Sequence, residues 1–173
     1  LAGRQSRGRP MINLLALDEG ERITSILPVR EYAEDQFIFM ATANGTVKKT
    51  PLTQFARPRN SGLIALDLVE SDHLVDTAVT DGDSDVMLFS SAGKAVRFSE
   101  VDVRAMGRTS RGVRGIRLDS EQAVISMVIP KPEGKVLTVS ENGFGKRTII
   151  TEYATKGRGG KGMIALQWSD RPV

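Results

Sequence analysis

The sequence predicts an all-β protein built on a repeat of about fifty residues, and three observations carry that prediction. Glycines at positions 8, 62, 112 and 162 each open a run of strand-like character, and they lie 54, 50 and 50 residues apart. Hairpin-type turns at Asn44-Gly45, Ala92-Gly93 and Asn142-Gly143 keep nearly the same beat, at spacings of 48 and 50. Few stretches show the apolar periodicity of a helix. A fixed period of this length, with several short strands in each unit, marks a bladed or solenoid array.

Each unit is expected to supply four strands. The first follows the opening glycine and alternates, with Ile12 and Leu14, Leu66 and Leu68, and Ile116 and Leu118 on one face; period two is the pattern of a half-buried strand. The second is the apolar stretch after an acidic turn, at residues 23–29, 74–79 and 124–129. The third and fourth form a hairpin around the recurring turn: 37–43 with 46–52, 86–91 with 94–98, and 136–140 with 146–150. Asn-Gly suits such a turn because both residues tolerate positive φ. Pro130 and Pro132 punctuate the loop between the second and third strands.

Four short strands per fifty residues is the signature of a propeller blade. Leucine-rich and ankyrin repeats are shorter, and helical repeats conflict with the strand patterning. The units fall at residues 8–61, 62–111 and 112–161, with a partial one at 162–173, and no linker divides them. The expectation is therefore about three complete four-stranded blades plus part of a fourth, an arc of a longer ring. The run at 162–168 is expected to pair with a neighbouring blade, since an unpaired apolar strand invites aggregation.

Composition narrows the chemistry. The 173 residues include no cysteine and one histidine, which excludes disulfides and thiolate metal sites and argues against histidine-based catalysis. The lack of cysteine fits a reducing cytoplasm. No apolar run is long enough for a membrane helix, the start lacks the apolar core of a signal peptide, and the first residue is not Met, which suggests a fragment.

The net charge of +3 conceals a strong segregation. Residues 4–9, 57–59, 104–117 and 156–161 hold 13 basic side chains and no acidic one, while the remaining 144 residues carry a net charge of −10. Each unit thus has a basic edge and an acidic one, a distribution that focuses a field on a polyanion. Four positions beyond the turn glycine, the residue is basic in every unit: Lys49, Arg97 and Arg147. With the fourth strand outermost, these charges line a curved rim suited to duplex DNA. The candidate DNA contacts are Arg7, Arg9, Lys48, Lys49, Arg57, Arg59, Lys94, Arg97, Arg108, Arg111, Arg114, Lys146, Arg147, Lys156, Arg158 and Lys161. Arg22 and Arg30 lie off the repeat-matched positions and are expected to matter little.

Three stretches carry a family resemblance: Met-Ala-Thr-Ala-Asn-Gly-Thr-Val-Lys-Lys-Thr at 40–50, Val-Arg-Ala-Met-Gly-Arg-Thr-Ser-Arg-Gly-Val-Arg-Gly-Ile-Arg-Leu at 103–118, and Asn-Gly-Phe-Gly-Lys-Arg-Thr at 142–148. They resemble the C-terminal domain of the bacterial DNA gyrase A protein. The resemblance implies a β-pinwheel, a propeller with exchanged strands, that binds and bends DNA around its perimeter within a type II topoisomerase. It implies double-stranded DNA, the rest of the gyrase A protein and the gyrase B protein as partners in an A2B2 assembly, and a bacterial, nucleoid-associated setting. It also implies that ATP and Mg2+ act elsewhere in the enzyme, so that this segment is itself non-catalytic and holds no cofactor or metal. The family's seven-residue box, Gln-Arg-Arg-Gly-Gly-Lys-Gly, has a degenerate copy at residues 156–162, matching at five of seven positions. The authentic box is expected to precede residue 1, and this segment is not expected to supercoil DNA by itself.

Other motif readings fail on context. Residues 157–162 fit a dinucleotide-type glycine pattern, but that motif needs a strand before it and a helix after it. No phosphate-loop sequence ending in Gly-Lys-Ser or Gly-Lys-Thr occurs. Tyr153 aligns with Phe55 and Val103 and is expected in the core, as is Trp168, and His73 is expected at the surface. Two alternatives stand beside the gyrase reading: the related domain of topoisomerase IV, and a protein-binding propeller.

Overall fold

The structure, a computed structural model, describes residues 4, 7, 8, 10, 13, 15 and 17–166. In chain order the strands are β1 (Phe37–Thr42), β2 (Thr46–Pro51), β3 (Leu74–Thr80), β4 (Asp85–Ser90), β5 (Lys94–Ser99), β6 (Val113–Arg114), β7 (Val124–Val128), β8 (Lys135–Val139), β9 (Gly145–Ile149) and β10 (Met163–Ile164). A single 3-10 turn follows each hairpin, at Leu52–Phe55, Glu100–Asp102 and Ile150–Glu152. The three hairpins stand where the turns predict, and Gly45, Gly93 and Gly143 all take positive φ.

The strands assemble across units rather than within them. Two four-stranded sheets have the orders β3-β1-β2-β6 and β10-β5-β4-β7, and among the described residues the third hairpin, β8-β9, pairs only with itself. Each hairpin of the two complete sheets thus takes a strand from the next unit on one side and from the unit after that on the other. The register repeats with the sequence. Phe39 faces Ala78, Met40 faces Thr77 and Thr42 faces Leu74 across a bulge; Met87 faces Val128, Leu88 faces Met127 and Ser90 faces Val124 across the same bulge. On the other side Val47 faces Val113, and Ala95 faces Met163.

This exchange corrects the expected blade count. Among the described residues two sheets have four strands, not three, because a blade draws on three consecutive units. Residues 23–29 and 62–68, expected as strands, form none: by the repeating rule their hairpin partner would belong to a unit before the first hairpin. Ile12, Leu14 and Trp168 lie outside the described residues. The expected pairing of the run at 162–168 is borne out at Met163–Ile164, where β10 adds to β5 of the neighbouring blade, while residues 167 and 168 lie outside the described residues.

Two opening glycines show why this residue recurs. Gly112 has φ 102° and a Cβ there would lie 2.6 Å from the Val47 carbonyl oxygen; Gly162 has φ 80° and its Cβ would lie 2.8 Å from that of Ala95. Only glycine allows the exchanged strand to approach so closely in that conformation.

Packing lies between the blades. Phe39, Ala41 and Val47 of the first sheet meet Val86, Leu88 and Phe98 of the second, with the Phe39 and Phe98 rings 6.4 Å apart. Met87 and Phe89 on the other face meet Val136, Ile150 and Tyr153 of the third hairpin. Tyr153 is in the core as expected, its ring edge-on to Phe89, and His73 is exposed at the surface, also as expected. Ile38 and Met40 point away from the second sheet into a cluster with Leu27, Val29 and Leu66. Central strands buried on both faces need continuous rather than alternating apolar character, which explains Phe-Ile-Phe-Met-Ala in β1. Neighbouring sheets come closest along β3 and β7, so β6 and β10 lie at the opposite, outer edge of the arc.

Candidate nucleic-acid interface

The basic residues divide into two populations, one turned inward and one exposed. The repeat-matched residue four places beyond the turn belongs to the first. Lys49, buried, donates to the backbone carbonyl of Glu100 at 2.9 Å and stands 3.7 Å from its carboxylate. Arg97 spans the same junction one blade on, donating to the carbonyls of Ile150 and Tyr153 at 3.0 and 3.1 Å while pairing with Asp85 at 2.6 Å. In both, a cation on the fourth strand fastens the 3-10 turn of the next blade. Arg147, the third member, is exposed, and no further blade stands beside it among the described residues.

Lys48 is fully buried. Its ammonium donates to the carbonyls of Ala65 at 2.7 Å and Ser110 at 2.9 Å, and to that of Arg108. Burial, reinforced by the Arg108 charge and opposed by Asp67, pushes its pKa down to about 8. Lys48 and Lys49 therefore leave the set of accessible DNA contacts. The physical reason is strand exchange: the fourth strand is not outermost, because β6 covers β2.

A second fastener repeats at a spacing of fifty. Arg108 donates to the carbonyl of Ile64, and Arg158 donates to that of Arg114, both at 3.1 Å. Arg158 also reaches the Asp102 carbonyl at 2.9 Å. Backbone bonds join the same segments, from Arg117 N–H to the Gly160 carbonyl at 2.8 Å and from the Gly159 N–H to Gly115. The basic segments 104–117 and 156–161 therefore lie side by side along the outer edge, and Arg108 ties the first of them to Ile64, just beyond the segment at 57–59, as a strip crossing successive blades.

The strip carries the exposed population. Arg57, Arg59, Arg111, Arg114, Lys156, Arg158 and Lys161 are exposed, as are Lys146 and Arg147 on the third hairpin and Arg7 near the start. Arg9 lies outside the described residues. Arg111 pairs with Asp67 at 3.1 Å, and Lys94 and Lys161 approach Asp119 at 3.6 and 4.0 Å; such solvent-exposed pairs are weak and exchange readily for phosphate. Arg104 and Arg117 are also exposed on the strip, although repeat matching does not select them. The acid-free run at 104–117 is the signal that finds them, whereas comparison between units passes them over: Asp67 stands fifty residues before Arg117.

A strand-exchanged propeller with a basic strip along its outer edge is a scaffold whose charge suits a polyanion. The chain belongs to the family described as DNA gyrase C-terminal domain, beta-propeller, whose sequence model matches residues 1–30, 36–81, 84–131 and 134–170. It is 56% identical over 170 residues to the DNA gyrase A protein of Salmonella typhimurium strain LT2 and 52% identical to that of Escherichia coli K12, in each case over 98% of this chain and 19% of the relative. It thus spans about a fifth of the length of these relatives. Among solved structures it resembles the C-terminal domain of DNA topoisomerase IV (TM-score 0.84, 27% identity, 91% of this chain and 49% of that one). It also resembles the DNA gyrase A C-terminal domain (TM-score 0.81, 26% identity, 91% of this chain and 53% of that one).

Proposed function

We propose that this chain is a DNA-wrapping module of gyrase, holding duplex DNA against its outer edge so that the rest of the enzyme can introduce negative supercoils. The observation that carries the reading is the strip itself, in which exposed arginines and lysines from successive blades lie along one curved edge. Phosphate neutralisation dominates such a surface, because its cations are spread over successive segments and the basic segments 57–59, 104–117 and 156–161 contain no aromatic residue on which bases could stack. The partners in this reading are double-stranded DNA, the rest of the gyrase A protein and the gyrase B protein in an A2B2 assembly within the bacterial nucleoid. ATP and Mg2+ act on other parts of that enzyme.

The shape likeness to topoisomerase IV is as good as that to gyrase, but identity above 50% over nearly the whole chain to gyrase A proteins favours the latter. Binding to end-labelled duplexes over a salt series tests the proposal. Affinity is expected to fall steeply, each phosphate contact adding about −0.9 to the slope of log affinity against log salt, while the ends draw together. A slope near zero would instead mean a protein-binding propeller. Preference for one sequence over random duplex by more than roughly a hundredfold would contradict a phosphate-dominated mode.

A further inference from the structure

Two crossings of the strip, from one blade to the next, share an architecture but differ in charge at two matched positions. Lys48 and Val96 stand three places beyond the turn glycines Gly45 and Gly93, and Asp67 and Arg117 stand five places beyond the opening glycines Gly62 and Gly112. Asp67 and Arg117 occupy the same seat: the Asp67 N–H donates to the Ser110 carbonyl at 3.3 Å, and the Arg117 N–H to the Gly160 carbonyl at 2.8 Å. The flanking bonds from Arg108 to the Ile64 carbonyl and from Arg158 to that of Arg114 also match. The first seat is therefore built as the second is, where β6 pairs with β2, so its geometry is a property of the repeat.

The other position decides what each seat can hold. At the second crossing the Val96 side chain packs in the core between the blades, and the Gly159 N–H donates to the Gly115 carbonyl at 2.6 Å. At the first, the carbonyl equivalent to that of Gly115 belongs to Ala65, and it accepts from the Lys48 ammonium at 2.7 Å instead. The same ammonium reaches the Ser110 carbonyl at 2.9 Å, the oxygen that also takes the Asp67 N–H. A buried ammonium held by carbonyls still lacks a counter-charge, and a buried charge is costly unless it is paired. The Asp67 charge offsets part of the fall in the Lys48 pKa that burial and Arg108 cause. An arginine in this seat, as at 117, would instead stand beside a second, buried cation. The Asp67 carboxylate also holds Arg111, its Oδ2 accepting from Nε at 3.2 Å and from Nη2 at 3.1 Å. Lys161, the equivalent of Arg111 one unit on, comes only to 4.0 Å from Asp119, a carboxylate that Lys94 shares at 3.6 Å.

We propose that Asp67 is a built-in counter-ion of the DNA strip: it neutralises the buried Lys48 and competes with phosphate for Arg111. The first crossing consequently grips duplex DNA more weakly than the second, where Val96 and Arg117 take the places of Lys48 and Asp67. The wrap is uneven along the arc, tightest where segments 104–117 and 156–161 meet. Asp67 can act in this way only on a surface that binds DNA, so its role rests on the DNA-wrapping reading.

Affinity for a short duplex over a salt series tests the competition. D67N is expected to tighten binding about threefold to tenfold at low salt and to steepen the salt slope by up to about 0.9, as Arg111 is released to phosphate. D67R, which gives the seat the residue type found at 117, should steepen it by about 1.8. The gain from D67N should vanish in an R111A background. No gain in the parent would overturn the proposal, and an equal gain with R111A would reduce Asp67 to its share of net charge and overturn the competition. Stability reads the pairing with Lys48. D67N should lower Tm, and by less in a K48M background, where no ammonium needs a counter-charge; equal losses would refute the pairing. If K48M does not fold, the difference in urea midpoint between parent and D67N should shrink as pH rises through about 8, where Lys48 gives up its proton, and a constant difference would refute the pairing in the same way. A parent chain with no salt-dependent affinity for DNA would refute the DNA-wrapping reading itself, an outcome distinct from a parent that binds DNA and a D67N chain that binds it no tighter.

Discussion

Replacing Lys49 with methionine separates the two populations of basic residues, because it removes a charge that DNA cannot reach. Methionine keeps the stem that passes over Phe37, where the ammonium now stands 5.1 Å from the ring centroid. What is lost is the cation beside Glu100, a carboxylate with no exposure. The variant leaves that carboxylate with the Gly82 and Ser84 N–H groups at 3.0 and 2.8 Å and the Thr80 hydroxyl at 2.8 Å. Breaking a buried pair costs about 3–5 kcal/mol, and three surviving donors hold the loss to the lower end, about 3 kcal/mol. At about 2–4 °C per kcal/mol for a chain of this size, Tm should fall by about 6–12 °C. E100Q in the K49M background should recover part of it, since neither partner is then an unpaired charge.

DNA binding by K49M, measured well below its Tm, should keep the affinity and salt slope of the parent. R114A/R117A should do the reverse, leaving Tm in place and reducing the slope by about 1.8. A K49M chain with unchanged Tm and a slope reduced by about 0.9 would put Lys49 on the DNA, and the division between inward and exposed charges would be wrong.

Three further outcomes follow from the same geometry. Gly112→Ala combines a left-handed backbone with a Cβ placed 2.6 Å from the Val47 carbonyl; urea unfolding should show a loss of at least about 2 kcal/mol, and a loss within experimental error would mean that β6 is not seated as described. Lys48 gives up its proton more readily folded than unfolded, its pKa being about 8 rather than the ordinary lysine value. The unfolded chain therefore binds more protons above that pH, so the urea midpoint of the parent relative to K48M should rise from about pH 8 towards the ordinary lysine pKa, and a difference that falls across this window would refute the assignment. Removing Arg59, Arg114 and Lys161 together, one from each of three successive segments, should relax the DNA bend measured between duplex ends as well as weaken binding, because a stiff duplex must be held along the arc. R22A/R30A should do little, and equal losses from the two sets would mean that net charge alone governs binding.

The period, the hairpins and the opening glycines were legible because each is a local pattern. Strand exchange was legible only through the family resemblance, and its partners not at all, since Val47 faces Val113 and Ala95 faces Met163 across stretches longer than a whole repeat, and nothing in a single unit distinguishes a strand paired at home from one lent to a neighbour. The residue pattern did hold a warning about Lys48 and Lys49. Adjacent strand residues point to opposite faces, so a pair of lysines there cannot both reach one DNA surface.

That warning extends to recurrence itself. In the sequence alone, a charge repeated in strict register reads as a charge repeated for DNA, yet Lys49 and Arg97 fasten equivalent 3-10 turns, and Arg108 and Arg158 bind the equivalent carbonyls of Ile64 and Arg114. A contact that must recur at every junction fixes its residue in every unit, so strict periodicity reports the joints of the scaffold. DNA asks only for positive charge somewhere along the outer edge, and a stiff polyanion tolerates charges that shift by a residue or two from blade to blade. Arg104, Arg114 and Arg117 fit that looser demand: they are exposed on the strip, while isoleucine stands fifty residues either side of Arg114 and an aspartate fifty before Arg117. On the proposed reading they join Arg7, Arg111 and Lys161, which stand in step just before opening glycines and are also exposed, as charges free to meet phosphate.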